Sequence, residues 1–345
     1  MTGRLILEDK TVWEGESFGF EEATAGEIVF STGMMGYPES LTDPSYNGQI
    51  LVTTYPIIGN YGVSDKSTWE SNHIQVKALI VSNYNQPPSH FSSIRTLSQW
   101  LKDEKIPALQ IKDTRALTQK IREKGTMLAK IVFDGKEEVE FYNPDLENLV
   151  EKVSTKTVVD SKKGRKTIVL MDCGAKENIR RELIERGMRV ITVPWNYDFI
   201  EKRLRFDALA ISNGPGDPKK ALKSIEIIQK ALKLNIPILG ICLGNQLLAL
   251  AAGGDTRKLK YGHRSQNQPA LMEGSQRCFI TTQNHGFEVS KIPQGFKAWF
   301  TNANDGSNEG ITHKTKPIMS VQFHPEARPG PTDCNWIFDF FLKKI

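Results

Sequence analysis

From Thr167 onward the chain alternates short apolar runs with amphipathic segments, and this alternation restricts the fold more than any other feature of the sequence. The run Thr167–Met171 leads into a helix predicted from about Glu177 to Arg186 and stopped at Gly187, and Arg189–Val193 follows. Ala208–Ser212 then passes through a Gly-Pro turn into a helix with Leu222, Ile225, Ile228 and Leu232 on one face, and Ile236–Gly240 precedes another helix. Parallel strands need long crossovers, and helical crossovers cover the sheet they connect. The predicted class is therefore α/β, with a doubly wound, mostly parallel sheet over residues 167–345. Ligands of such sheets bind beyond the carboxyl ends of the strands, so functional residues are expected in the loops that follow them.

The first 150 residues follow a different pattern. The β-rich runs Arg4–Glu8, Glu27–Ser31, Gln49–Tyr55 and Val76–Val81 are separated by Gly, Pro, Asn and Asp clusters. Two helices are predicted among them. One starts near Ser93 and places Ile94, Leu97 and Leu101 on one face; the other follows Asp113, buries Leu117 and Ile121, and stops at Gly125. The result is a smaller mixed α+β domain over 1–150. Residues 151–166, EKVSTKTVVDSKKGRK, are polar, basic and without periodicity, as expected of a solvated linker. A chain of 345 residues is long enough for both domains.

Composition excludes several classes of function. Lys plus Arg is 45 against 40 for Asp plus Glu, and this small excess is spread along the chain without the basic stripe of a nucleic-acid binder. The start, MTGRLILEDKTVWEG, has no basic region followed by a long apolar run. The longest apolar region, around Ile236 to Ala252, is broken by Pro237, Gly240, Gly244, Asn245 and Gln246. No membrane association is expected, and a cytoplasmic location is. Four cysteines with no CxxC pair suit a reducing compartment. No Walker, GxGxxG or HExxH sequence points to a nucleotide or metal held by this chain.

One cysteine stands apart. Cys242 lies in Gly240-Ile-Cys242-Leu-Gly244, between an apolar strand and a helix. Small residues two positions either side permit the tight turn of a nucleophile elbow, and the first turn of the helix presents unpaired N–H groups to a negative charge on sulfur. A cysteine in an apolar run is otherwise a packing residue, and Cys173, Cys278 and Cys334 are read that way.

A cysteine nucleophile needs a base, and the base needs an orienting group. His324 and Glu326 end an apolar run in Val-Gln-Phe-His324-Pro-Glu326. In extended chain, residues i and i+2 share a side, so the carboxylate can hold the imidazole. Among the other histidines, His285 in the segment Gln283-Asn-His-Gly-Phe287 is the strongest rival, and that segment is read as a substrate-binding loop. A third element, Ser212-Asn-Gly214-Pro-Gly216-Asp-Pro218, again follows a strand, and its glycines let backbone amides approach a carbonyl that becomes an oxyanion.

The ordered set SNGPGDP, GICLGNQ, QNHGF and QFHPE resembles the class I glutamine amidotransferase family, in which a Cys–His–Glu triad hydrolyses the glutamine side-chain amide. In the amino half, TGMMGYPESLTDPSY and YPIIGNYG resemble the domain that precedes the amidotransferase in carbamoyl phosphate synthetase small subunits. The similarity runs from about Leu5 to Leu342. It implies Cys242 as nucleophile, His324 as general base and acid, and Glu326 as its orienter. It places the glutamine contacts on Ser45, Gly214, Gly216, Leu243, Gln246, Asn284, Gly286 and Phe287. Where many relatives have His after the elbow glycine, this chain has Asn245, as do some ammonia-using relatives that have lost the cysteine.

The resemblance further implies a glutaminase that delivers ammonia to a carbamoyl phosphate synthetase large subunit or fused synthetase domain. L-glutamine is then the substrate. ATP and Mg belong to the synthetase partner, with no cofactor in this chain. A catalytically quiet module of such a synthetase and an amidotransferase for another acceptor stand as alternatives, and the pathway served, pyrimidine, arginine or urea, is left open.

Overall fold

In the computed structural model, which describes residues 1–345, seven strands close into a barrel within the first of two units, Met1–Glu147. Around the barrel they run Thr2–Leu7, Val12–Ser17, Ala108–Gln110, Ala78–Val81, Gln49–Thr53, Thr24–Ser31 and Met127–Phe133, and the last pairs with the first. Alternate residues serve two cores. Ile50 and Val52 join Leu117 and Ile121 of the helix Thr114–Lys124, while Leu51 joins Trp100 and Leu101 of the helix Leu97–Asp103. Thr96 caps the latter helix by accepting from Gln99 N, so it starts later than the apolar spacing suggests and leaves Ile94 exposed.

The second unit, Asn148–Ile345, is built on a ten-stranded sheet. Its middle is parallel, in the order Arg189–Pro194, Thr167–Asp172, Ala208–Ile211, Ile238–Ile241, Ile318–Val321. Antiparallel strands extend it: Val159–Asp160 at one edge, and Asn308–His313, Phe296–Asn302, Asp255–Met272 and Cys278–Lys291 at the other. Neighbouring residues of one strand point to opposite faces, and each face is covered. Val169, Leu209 and Ile211 pack with Ile227 and Ile228 of the helix Leu222–Ala231 and Leu247 of the helix Leu243–Ala251. Ile168, Ala208 and Leu239 pack on the other face with Ile179 and Leu183 of Glu177–Glu185 and Phe338 and Phe341 of Trp336–Leu342. This is the doubly wound arrangement expected for the carboxyl half.

Three details differ from the sequence reading. Leu222 is 65% exposed, and the buried stripe of its helix runs through Ser224, Ile227, Ile228 and Ala231. The stretch 151–166 is structured. It continues the helix Leu149–Val153, donates Thr155 N–H to Asp172 Oδ2 at 2.7 Å, and adds Val159–Asp160 to the sheet. Cys278 is exposed rather than packed. No helix is long and apolar enough to cross a membrane.

Candidate active site

Three parallel strands of the second unit end side by side and deliver the site. Cys242 follows Ile238–Ile241 and adopts φ 53, ψ −105, outside the conformations an L-residue prefers. Its N–H is tied to Val321 O at 2.8 Å on the neighbouring strand. The turn depends on its glycines. A Cβ on Gly240 would lie 2.6 Å from Gly244 O, and one on Gly244 would lie 2.3 Å from Ile211 O. Gly214, after Ala208–Ile211, is equally confined, since a Cβ there would meet Cys173 O at 2.0 Å and the Leu243 side chain at 2.8 Å. Gly214 and Leu243 are thus neighbours, and Gly216, at φ 81, packs beside Leu149.

His324 and Glu326 follow Ile318–Val321, and both are buried. His324 Nδ1 lies 2.6 Å from Glu326 Oε1, and the His324 backbone N–H donates to Thr282 O at 2.9 Å. Burial pushes the imidazole down, but the Glu326 carboxylate and the Cys242 sulfur outweigh it and raise His324 well above its ordinary value. Sulfur and ring follow the ends of adjacent parallel strands, where Ile241 pairs with Val321. His324 Nε2 makes no hydrogen bond, and Cys242 Sγ faces Asn284 O at 3.7 Å.

Glu326 is held below the usual carboxylate range. Burial alone would raise it; the Lys176 ammonium and the imidazole reverse that. Lys176 is itself buried, with Nζ 3.2 Å from Glu326 Oε1 and a second bond donated to Ala327 O. Asn178 Nδ2 donates to Glu326 O at 2.5 Å. Sequence reasoning missed Lys176. Nothing in the segment Cys173-Gly-Ala-Lys-Glu-Asn distinguishes it from a surface lysine, because its burial depends on a loop some 150 positions away.

The segment 283–287 was expected as a loop. It lies instead within the long strand Cys278–Lys291, where Asn284 pairs with Arg264 and Phe287 with Lys258 across an irregular register. From there Phe287 O accepts Gln246 Nε2 at 2.9 Å, which brings Gln246 to this strand one helical turn after Cys242. Gly286 lies beside the Arg264 guanidinium. Ser45 belongs to the first unit, buried in the short 3-10 helix Pro44–Tyr46, with its N–H donated to Asp43 Oδ1.

His285 does not compete as a base. Nδ1 faces Phe287 O at 2.8 Å and Nε2 faces Gln283 Oε1 at 3.0 Å, while burial and the neighbouring His263 push it well down. His263, His285 and Glu309 bring one potential ligand atom each within 4.8 Å. The His263 nitrogens already face Gln283 Oε1 and Asp305 Oδ2, so with its flanking carboxylates the group forms a buried hydrogen-bonded charge network. Burial pushes the thiols of Cys173 and Cys334 up, the latter to about 12, in keeping with packing roles.

Comparison with known proteins follows the same division of the chain. Residues 169–344 match the family model "Glutamine amidotransferase class-I", and residues 5–131 match "Carbamoyl-phosphate synthase small chain, CPSase domain". The arginine-specific carbamoyl phosphate synthase small chain of Neurospora crassa is 45% identical over 356 residues, which cover 98% of this chain and 79% of that one. The chain belongs to the carbamoyl-phosphate synthase small-chain family. Its carboxyl half is a class-I glutamine amidotransferase domain. Multifunctional protein CAD of Squalus acanthias is 50% identical over 354 residues, but this chain spans only 16% of its length. The human mitochondrial carbamoyl-phosphate synthase [ammonia] is 45% identical over 357 residues, and the chain spans 24% of it. Small-chain and ammonia-named relatives are thus equally similar, so the site residues must decide between a glutaminase and a quiet module.

Proposed function

We propose that the chain is the glutaminase component of a carbamoyl phosphate synthetase. It hydrolyses L-glutamine to glutamate and ammonia, and passes the ammonia to a synthetase subunit or domain that makes carbamoyl phosphate from bicarbonate and ATP. The observation that carries this reading is the placement of Cys242, held in a strained elbow, at the end of the strand next to the one that leads to the buried His324–Glu326 pair.

In this reading Cys242 Sγ attacks the side-chain carbonyl carbon of glutamine, and the carbonyl oxygen takes up the negative charge. Backbone N–H groups of Gly214 and Leu243 face that oxygen; Leu243 is the first residue of its helix, so its N–H has no intrahelical acceptor. His324, whose affinity for a proton is raised by its neighbours, takes the Cys242 proton as the sulfur attacks and then gives it to the departing nitrogen, which leaves as ammonia. The γ-glutamyl thioester that remains is cleaved by water, which gives its proton to His324, and glutamate leaves with the thiolate restored. Glu326 keeps Nδ1 occupied and Nε2 directed to the reaction. Gln246 and Asn284, with Gly216, Gly286 and Phe287, bind the rest of the substrate.

A glutamine analogue bearing a diazoketone tests the assignment. Covalent labelling of Cys242, located by peptide mass spectrometry and prevented by excess glutamine, is expected. An unlabelled Cys242 in the presence of the synthetase partner would leave the chain a structural module.

A further inference from the structure

Four buried side chains, Gln246 among them, form a hydrogen-bonded chain whose polarity can be read from its ends. Resting on the glutaminase reading, we infer that Asn245, acting through Gln322, is a positioning residue that keeps Gln246 Oε1 directed to the α-ammonium of the substrate glutamine.

A backbone carbonyl only accepts, so the Gln246 atom 2.9 Å from Phe287 O is its Nε2. The same nitrogen lies 3.2 Å from Gln322, which must present Oε1. Asn245 lies 3.1 Å from that oxygen and so presents Nδ2. Its Oδ1 is left to accept the Ser320 hydroxyl at 2.7 Å, the shorter of two contacts open to that hydrogen, the other being Ile311 O at 3.5 Å. Polarity runs unbroken from the Phe287 carbonyl to the Ser320 hydroxyl.

Gln322 carries the strain of this arrangement. Its own Nε2 is buried without a partner. Flipping the amide would turn that NH2 group against the donors of both Asn245 and Gln246, so the unpaired group is the lesser penalty. With Nε2 engaged twice, Gln246 offers only Oε1, which accepts no bond within the chain. That oxygen belongs to the residue one turn beyond Cys242, on the same side of the helix. A carbonyl dipole of fixed direction suits a cationic donor, and the α-ammonium is the one cation of glutamine. An NH2 group at the same place would repel it.

Asn245→Asp keeps the side-chain shape but replaces the donor with an acceptor. Gln322 then turns its Nε2 to the carboxylate and sets two NH2 groups against each other at Gln246. The test is steady-state hydrolysis by the full chain of L-glutamine and of 4-carbamoylbutanoate, which carries the same amide and carboxylate but no amino group. KM for L-glutamine is expected to rise about tenfold or more, with kcat within about twofold and KM for 4-carbamoylbutanoate unmoved. Gln322→Leu, which removes the shared acceptor, is expected to give the same split and carries the test should Asn245→Asp not fold. Equal KM shifts for both substrates, a fall in kcat at constant KM, or unaltered kinetics in either variant overturns the assignment. Absence of turnover in the unmodified chain with the synthetase partner present is a distinct result, which overturns the glutaminase reading and this inference with it.

Discussion

Lys176 Nζ and His324 Nδ1 meet the same atom, Glu326 Oε1, at 3.2 and 2.6 Å. One carboxylate oxygen therefore answers two buried cations. Removing one partner of a buried charge group leaves the others uncompensated, at a cost of about 3–5 kcal/mol. Lys176→Met is expected to lower the unfolding free energy by an amount in that range. Urea titration of the variant beside the parent protein measures it, and a change below about 1 kcal/mol would show that the ammonium is incidental.

The same cluster sets a pH dependence. The His324 proton affinity is raised by folding, so its stabilising contribution is complete below about pH 6.5, the ordinary value, and is lost as pH rises toward about 10. Glu326 is lowered by folding, so its contribution is complete above about 4.5 and is lost as pH falls toward about 2. Glu326→Gln removes the larger cause of the first shift. The difference in Tm between parent and variant is expected to shrink from pH 6.5 to pH 10, and a difference that widens over that range would contradict the pairing.

Cys242 tests strain and chemistry separately. An L-residue held at φ 53, ψ −105 stores about 1–3 kcal/mol, which glycine releases and alanine does not. Glycine in turn loses about 0.5–1 kcal/mol through its freer unfolded chain. The larger effect is the strain, so Cys242→Gly should melt above Cys242→Ala. Both should lack glutaminase activity. With the synthetase partner present, Cys242→Ser is expected to abolish glutamine-dependent synthesis and to spare the ammonia-dependent reaction; loss of both would mark a structural role.

Gly244 has no comparable latitude. An alanine Cβ would lie 2.3 Å from Ile211 O, and backbone cannot retreat as a flexible side chain can. Gly244→Ala is expected to lose the soluble fold or at least about 3 kcal/mol, by contrast with Gly253→Ala, whose Cβ meets nothing and which pays only for its φ of +90. Comparative melting of the two variants distinguishes crowding from backbone strain.

Much of this molecule was legible in its sequence because the signals were local. The strands Thr167–Asp172 and Arg189–Pro194, the helix between them, and the glycine-flanked turn at Cys242 all follow from residues within a few positions of one another. The i, i+2 relation of His324 and Glu326 is local too. What escaped depends on distant partners. The barrel closes through pairs such as Leu5 with Ile131, and no pattern within either strand names the other. Residues 283–287 carry Gln, Asn, His and Gly, which read as loop, yet the long partner strand Asp255–Met272 recruits them into a ladder. Lys176 and Gln322 matter only through what folds onto them.

The strand that carries Cys242 and the strand that leads to His324 are immediate parallel neighbours, with Ile241 opposite Val321. The strand ends that lead to thiol and imidazole are thereby held one rung of a hydrogen-bonded ladder apart, about 4.8 Å. The 82-residue excursion between them returns to the pair through the strand Cys278–Lys291, where Thr282 O accepts the His324 backbone N–H and Asn284 O faces Cys242 Sγ. Insertions or deletions at the tips of its hairpins can therefore alter the surface presented to a partner while the reacting atoms keep their separation, which leaves the site free to stay constant as its surroundings diverge.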